Sequence, residues 1–352
     1  MKHFGLASAN TLISAAVLAV FTSTIAPAQT ETVLYNFTGG TDGIYPYGVI
    51  FDGKGNLYGT NWSEVFELSP SSGGGWTFAT LYSFPNFANG SRPTGNLTLD
   101  AAGNLYGATI YGGSANCSPG GCGVIFELSP GTGGGWVETV LHTFTGGSDG
   151  GFPVGGLVFD AGGNLYGSSG LGGTACSRGT DCGMVFELSP SSGGWQKTTV
   201  YRFKGPADGN GPSAVVFDAA GNLYGTTFNG GKYFGFCQTY GCGTVFKLTR
   251  NSSGIWEKTS VHIFTDKTDG NGPHAGVIMD LAGNPYVSSG WGGDYSHGTL
   301  LKFTPSTGGD WNYRVLYPFS PGFRDGYNPR GLTFDPEGNL YGTTTWGGVG
   351  AV

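Results

Sequence analysis

A seven-residue motif that recurs six times is the feature that most constrains how this chain can fold. It reads Asp-x-x-Gly-Asn, an apolar residue or Pro, then Tyr, and it occupies residues 52–58, 100–106, 160–166, 218–224, 280–286 and 335–341. Successive copies lie 48 to 62 residues apart. Repeats of roughly this length that contain several strands each are typical of the blades of a β-propeller.

Each repeat has the pattern of four strands, which we call A to D. An apolar strand A ends at the Asp of the motif, and Asp-x-x-Gly-Asn has the composition of a tight hairpin that leads into strand B. Strand C is the Val65–Leu68 segment and its equivalents, and strand D follows a Gly-rich turn and a Trp. We predict an all-β chain that folds as a β-propeller of about six four-stranded blades. A stacked β-solenoid is the alternative.

The two ends of the repeat array do not match. The array opens with a strand-D pattern at residues 32–37 and stops after the sixth strand B. If the blades close into a ring, the first segment lies on the outside of the last blade, which then lacks a strand C. We therefore expect the last blade to be incomplete and the sequence to be truncated at its C-terminus, with a three-stranded last blade as the alternative.

The composition indicates a folded domain with no affinity for nucleic acid. Gly accounts for 69 of the 352 residues, yet Phe, Tyr and Trp make up 14%. Disordered chains are poor in aromatic residues, because they cannot bury enough apolar surface to offset chain entropy. The net charge is −7, and no cluster of Lys and Arg is present for phosphate contacts.

Residues 1–28 have the form of a signal peptide. Lys2 and His3 precede an apolar stretch at residues 12–25, which ends before Ala26-Pro27-Ala28, a cleavage pattern for export. The mature chain, residues 29–352, forms the repeat domain, and we expect no transmembrane span in it. These features predict a secreted or cell-surface monomer, with an uncleaved membrane anchor as the alternative.

The combined repeat resembles a known family. Asp-x-x-Gly-Asn-Leu-Tyr-Gly-Thr-Thr, Gly-x-Val-Phe-Glu-Leu-Ser-Pro and Val-Leu-Tyr-x-Phe are similar to the GloVer repeats, the Gloeobacter/Verrucomicrobia-type extracellular tandem repeats, over nearly all of residues 31–348. The resemblance implies an exported bacterial protein, often one with a C-terminal sorting anchor, which this sequence does not show. It implies no particular activity and supplies no catalytic residues.

The loops of the predicted propeller divide into two faces. The A–B and C–D turns share one face and repeat with little change, whereas the B–C and D–A loops share the other and differ in length and composition. We call the second the varied face. Binding residues usually lie on variable loops that a rigid scaffold positions, so we predict that the varied face carries the function.

All six cysteines belong to B–C loops on the varied face. They form three local pairs: Cys117/Cys122, Cys176/Cys182 and Cys237/Cys242. In an exported chain such pairs predict disulfides, each of which closes the base of one loop. Metal thiolate sites are the alternative.

Aromatic residues gather on the same loops and are the predicted ligand-binding residues: Tyr111, Tyr233, Phe236, Tyr240, Trp291, Tyr295 and Trp346. Exposed rings can stack on the faces of sugars or hold a peptide. The predicted partner is therefore an extracellular glycan or protein. The alternative is that these rings only pack the loops over the blades.

Acidic residues of the D–A loops are weak candidates for a calcium site: Asp42, Asp149, Asp208, Asp269 and Asp325. Carboxylate oxygens are the ligands that Ca²⁺ prefers, but Asp followed by Gly is also a common turn. No other cofactor or metal is expected.

Catalytic candidates are few. The sequence lacks the short motifs of hydrolases, metalloproteases and nucleotide-binding enzymes. His274 and His297, with Asp294 nearby, could form the acid–base pair of a lyase or hydrolase. The leading hypothesis is a non-enzymatic binding module, with that enzyme and a structural surface-array protein as alternatives.

Overall fold

The computed structural model describes residues 34–347 except 86, 119, 174–180, 234, 321–325 and 336. The described residues form 23 β-strands in six antiparallel sheets, one for each copy of the repeat motif. This confirms the predicted all-β, propeller fold. The predicted signal peptide lies outside the described residues.

The blades contain the following strands. Blade 1 has β1 (Val49–Phe51), β2 (Leu57–Thr60), β3 (Glu64–Pro70) and β4 (Trp76–Ser83); blade 2 has β5 (Ser91–Leu99), β6 (Leu105–Tyr111), β7 (Val124–Pro130) and β8 (Trp136–Thr143); blade 3 has β9 (Gly151–Phe159), β10 (Leu165–Leu171), β11 (Met184–Ser191) and β12 (Gly194–Arg202). Blade 4 has β13 (Asn210–Pro212), β14 (Val216–Phe217), β15 (Leu223–Asn229), β16 (Thr244–Arg250) and β17 (Trp256–Ile263); blade 5 has β18 (Ile278–Met279), β19 (Pro285–Ser289), β20 (Thr299–Pro305) and β21 (Trp311–Pro318); blade 6 has β22 (Gly326–Phe334) and β23 (Leu340–Gly347).

Strand order within a blade follows chain order, so each strand pairs with the next one along the sequence. In blade 4, strand A consists of two short pieces, β13 and β14, which both pair with β15. In blade 6, the described residues form strands A and B alone.

The carboxylate of the repeat motif holds the A–B hairpin together. In blade 3, Asp160 accepts hydrogen bonds from the backbone of Gly162 (2.8 Å) and Asn164 (2.9 Å), and from the Asn164 side chain (2.8 Å) and the Tyr166 hydroxyl (3.3 Å). Partial burial opposes ionisation of Asp160, but the donors from Asn164, Gly162 and Tyr166 outweigh it and lower the pKa of the carboxyl. The Asp of the motif is therefore a turn residue.

Aromatic residues join each blade to the next. The strand-B residue Tyr166 packs edge-on against Phe217 of blade 4's strand A, with ring centroids 5.0 Å apart, and near Trp256 of its strand D at 6.2 Å. The same arrangement joins Tyr106 of blade 2 to blade 3. Edge-to-face pairs of this kind contribute about 0.5–1.5 kcal/mol each beyond the burial of their area.

The innermost strands of neighbouring blades approach closely, and this requires small residues. A Cβ atom on Gly155 would overlap the carbonyl oxygen of Thr94 in the preceding blade, and one on Gly156 would contact Ala214 in the following blade. Glycine at residues 155 and 156 therefore lets the A strands of three blades pack around the axis.

The predicted N-terminal strand D, residues 32–37, differs from expectation. Residues 34–37 belong to no sheet, and residues 32 and 33 lie outside the described part. The segment nevertheless packs as expected of a strand D that precedes blade 1: the Phe37 ring lies 5.2 Å from that of Phe66. Phe84 makes the equivalent contact with Phe126 of blade 2 at 5.1 Å.

No helix among the described residues combines the length and the apolar character needed to cross a membrane.

We expect the replacement of Asp160 by Ala to lower the free energy of unfolding by about 1–3 kcal/mol, because four donors lose their acceptor. Urea denaturation followed by Trp fluorescence measures this. Asp335→Ala is the matched control in blade 6, where the same turn is exposed. Asp335→Ala should lower the free energy of unfolding by a smaller amount. Equal decreases in the two variants would contradict a role for Asp160 in joining the turn to the blade interface.

Candidate functional site

A cavity of about 490 Å³ opens on the varied face between the loops of blades 4 and 5. Four segments line it: the end of β15, the B–C loop of blade 4, the D–A loop that leads into blade 5, and the B–C loop of blade 5. The lining residues are Phe228, Asn229, Cys237, Tyr240, Gly241, Asp266, Asn271, Gly272, Trp291, Gly292 and Ser296. Two of the predicted ligand-binding residues, Tyr240 and Trp291, are thus brought together.

The other predicted aromatic residues lie outside the cavity lining, and two of them are on strands rather than loops: Tyr111 ends β6 and Trp346 lies in β23. Tyr233, Tyr295 and Trp346 are exposed. Tyr111 is half-buried and packs against Phe152, with ring centroids 5.8 Å apart. The side chain of Phe236 lies outside the described part of the structure. Ligand binding by these residues stays a prediction.

Disulfides shape two of the B–C loops, as the cysteine spacing predicts. Cys117 is bonded to Cys122, with Cα atoms 4.9 Å apart, and Cys237 to Cys242, with Cα atoms 5.1 Å apart. Cys182 is also in a disulfide, and its predicted partner Cys176 lies outside the described residues. The Cys237–Cys242 bond closes the loop segment that carries Tyr240 and forms part of the cavity wall.

One wall of the cavity is aromatic and continues into a buried histidine. The ring of His274 lies 4.4 Å from that of Phe228 and 4.8 Å from that of Trp291. Its Nε2 atom is buried and has no hydrogen-bond partner among the described residues. Burial, with a smaller contribution from the positive charge of Arg330, lowers the pKa of His274 to about 4. At neutral pH the Phe228 and Trp291 rings therefore pack against an uncharged imidazole with an unpaired nitrogen.

The cavity also has polar lining residues. The Asn271 side chain donates to the Asp266 carboxylate, and both line the cavity with Ser296. Asp266 and Ser296 have φ angles of 62° and 61°, in the left-handed region that non-glycine residues rarely adopt. Such backbone strain is concentrated at functional sites. A cavity lined by both aromatic and polar side chains suits a ligand with both apolar and hydroxyl surface.

His274 and His297, the weak catalytic candidates, are not brought into contact. The His297 ring packs against Tyr327 of blade 6 at 5.1 Å, and its Nδ1 atom lies against the Tyr295 carbonyl. Within the described ranges, no hydrogen bond or ring contact joins His297 to His274 or either residue to Asp294. The geometry gives no support to an acid–base pair at these positions.

The acidic residues of the D–A loops are engaged in turns and in contacts between blades. Asp149 accepts from the Thr145 backbone (2.9 Å) and His142 (3.2 Å), and it pairs with Lys197 of blade 3 (3.1 Å). Asp42, Asp208 and Asp269 are held in the same way at their own turns, and Asp325 lies outside the described residues. No group of three or more metal-ligating side chains occurs in the part of the chain that the structure describes. Calcium binding stays a prediction.

The sequence reasoning missed Phe228, Asp266 and Asn271. Phe228 follows the repeated Gly-Thr-Thr of strand B and varies between repeats, which is the one signal that could have identified it. Asp266 and Asn271 lie on either side of the repeated Asp-Gly of a D–A loop, where they have no distinguishing pattern.

The comparisons with known proteins agree with the repeat pattern. The model of the Gloeobacter/Verrucomicrobia repeat family matches residues 19–180 and 61–237, which together make up more than half of the chain. The chain belongs to the Gloeobacter/Verrucomicrobia repeat family. This confirms the resemblance noted in the sequence. No curated protein matches this repeat protein.

Solved structures share the propeller fold at low sequence identity. A putative oxidoreductase (glucose dehydrogenase) from Thermus thermophilus matches with a TM-score of 0.55 and 16% identity over 85% of this chain and 90% of that chain. Virginiamycin B lyase from Staphylococcus aureus matches with a TM-score of 0.52 and 15% identity over 85% and 77%. A gluconolactonase from Xanthomonas campestris matches with a TM-score of 0.50 and 13% identity over 85% and 83%. At these identities the likeness shows the fold alone.

The environment of His274 predicts how the stability of the fold depends on pH. The unfolded chain takes up the proton near pH 6.5 and the folded chain only near pH 4. The contribution of His274 to stability is therefore complete above pH 6.5 and is lost as the pH falls towards 4. We expect His274→Phe to be less sensitive than the native protein to a change from pH 7 to pH 4.5, as measured by urea denaturation. A His274 imidazole that titrates near pH 6.5 by NMR would contradict this.

Proposed function

We propose that this repeat protein is an exported, non-enzymatic binding module that takes part of an extracellular glycan into the cavity between blades 4 and 5. The observation that carries the proposal is the combination of the Trp291 and Tyr240 rings with the polar pair Asp266 and Asn271 around one cavity. Its volume lies within the range of about 300–1,000 Å³ that is usual for small-ligand sites.

The chemistry of the cavity suits a sugar. Trp291 is 41% exposed and Tyr240 is 48% exposed, so their rings are open to a ligand. Aromatic rings stack on the C–H faces of pyranoses, while carboxylate and amide groups exchange hydrogen bonds with their hydroxyls. Strand β15 and the Cys237–Cys242 disulfide hold these groups in place, which reduces the entropy lost on binding.

A protein ligand is the second candidate. Tyr233 and Tyr295 are exposed and belong to the same two B–C loops as Tyr240 and Trp291. Exposed tyrosines supply large contact areas at low conformational cost in protein interfaces. A protein would contact these loops more widely than a short glycan that enters only the cavity.

The first test is a binding screen of the chain from residue 29 onward against a panel of soluble polysaccharides. We expect binding, and we expect the Trp291→Ala/Tyr240→Ala variant to lose about tenfold to a hundredfold in affinity, because each stacked ring contributes about 1 kcal/mol. Isothermal titration with an oligosaccharide of the glycan that binds measures the loss.

The control variant is Leu281→Ala, a fully exposed residue in an A–B turn on the opposite face. It should bind as the native protein does. If the folded chain binds no glycan, the protein ligand or the structural surface-array role becomes the better account. If the double variant keeps full affinity, the glycan binds outside this cavity.

The Cys237–Cys242 bond should matter more to binding than to overall stability. Each of the two placed disulfides closes a loop with a sequence separation of 5, so each should contribute about 2 kcal/mol to the free energy of unfolding. We expect replacement of Cys237 and Cys242 by Ser to weaken glycan binding several-fold, by titration.

Replacement of Cys117 and Cys122 by Ser is the matched control. It should lower stability by a similar amount and leave the affinity for the cavity's ligand unchanged. Equal losses of affinity in the two variants would argue against a local role for the blade 4 disulfide.

A further inference from the structure

A second set of side chains forms a continuous row across blades 1 to 3 of the varied face. In order, the row consists of Tyr45, Trp62, Arg92, Tyr111 and Phe152, and we call it the ladder. The rings of Tyr45 and Trp62 lie 4.6 Å apart, the Arg92 guanidinium lies 4.5 Å from the centre of the Trp62 ring and 5.9 Å from that of Tyr111, and Tyr111 lies 5.8 Å from Phe152. None of the five lines the cavity between blades 4 and 5.

Three members of the ladder have strained backbones. Tyr45, Arg92 and Phe152 occupy the same place in their repeats, directly before a proline at or near the start of strand A, and their φ angles are 55°, 60° and 53°. A residue before proline normally has an extended backbone, and a large side chain with positive φ is a rare and unfavourable combination.

The other repeats show that this strain is not needed to make the turn. Blades 4 and 5 have Gly211 and Gly272 at the same place, with φ angles of 68° and 58°, and glycine adopts this conformation freely. Blades 1 to 3 therefore keep large side chains where glycine would give the same backbone. Tyr45 is 62% exposed, so burial does not account for the large side chain in blade 1, and Trp62 beside it is 41% exposed.

The charge of Arg92 is not neutralised within the described part of the chain. The guanidinium is half-buried against the two rings, and no described carboxylate or carbonyl accepts a hydrogen bond from it. A guanidinium that packs against aromatic rings through its faces keeps its N–H groups available at its planar edge. That planar edge matches a carboxylate, which it can bind through two parallel hydrogen bonds.

We propose that the ladder is a binding site for a carboxylate-bearing sugar, such as a uronic acid unit of an acidic polysaccharide. The carboxylate pairs with Arg92, and the sugar ring lies on the exposed faces of Tyr45 and Trp62. The choice of a sugar over an acidic peptide follows from these two flat, exposed rings beside the cation. The site is separate from the cavity and does not depend on what the cavity binds.

The test is titration of the chain with a hexamer of galacturonic acid and with the same hexamer after reduction of its carboxylates to alcohols. We expect the acidic hexamer to bind at least tenfold more tightly, and its affinity to fall as salt is raised. Arg92→Gly should lose at least tenfold in affinity for the acidic hexamer without a lower melting temperature, because glycine relieves the strain at this position. Arg92→Lys keeps the charge but lacks the planar edge, and should recover only part of the affinity.

A second ladder variant and a control complete the test. Tyr45→Gly should bind the acidic hexamer more weakly, and Leu281→Ala, in an A–B turn on the opposite face, should bind it as the native protein does. The proposal is overturned if Arg92→Gly keeps full affinity, if the acidic and reduced hexamers bind alike, or if the folded chain binds neither. If a hexamer of glutamate binds as tightly as the acidic sugar hexamer, the ladder is a site for acidic peptides, and the proposal of a sugar ligand is overturned.

Discussion

The contact between the strand-B tyrosine of one blade and the aromatic residues of the next is the interaction on which the rest of this structure depends. In blade 3, the hydroxyl of Tyr166 donates to Asp160 of its own hairpin, while its ring packs against Phe217 and near Trp256 of blade 4. One side chain therefore links the turn that forms a blade to the interface that joins it to its neighbour. Its burial raises the pKa of the phenol, so the hydroxyl stays a donor at any ordinary pH. This coupling explains why Asp, Asn and Tyr recur together.

Because this packing lies in the strands and in the A–B hairpins, the B–C loops are free to differ. They range from a short turn after β2 to disulfide-closed loops in blades 2 and 4. The D–A loops are less free, because carboxylates such as Asp149 and Asp208 cap their turns and pair with Lys197 and Lys258 of the following blades. Variation is thus concentrated in loops that take no part in the repeated turn and aromatic contacts, which is where new binding surfaces can arise without loss of the fold.

The sequence predicted the fold well because the signals for strands and turns are local and repeat six times. The cysteine pairs could be predicted for the same reason, since Cys117 and Cys122 are close in the chain. The cavity could not be predicted, because Phe228, Asp266 and Trp291 come from three different segments and meet only when blades 4 and 5 pack together. His274 and His297 show the converse, because both belong to blade 5 loops and yet pack in different places. The His274 ring packs against Phe228 of blade 4, and the His297 ring packs against Tyr327 of blade 6.

The residue before the strand-A proline connects stability with function in this fold. The backbone there is left-handed in all six repeats, so glycine is the residue that the turn itself favours, and Gly211 and Gly272 satisfy it. Gly272 leaves room for the Trp291 ring, which a Cβ atom at this position would approach to 2.9 Å, and it contributes to the lining of the cavity. Where a large residue replaces it, as at Arg92 and Phe152, the same position projects a side chain onto the varied face at a cost of about 1–3 kcal/mol in backbone strain. One repeated position is thus filled by large side chains in blades 1 to 3, by glycine in blades 4 and 5 and by Asn328 in blade 6, and it contributes to the ladder in one part of the varied face and to the cavity lining in another.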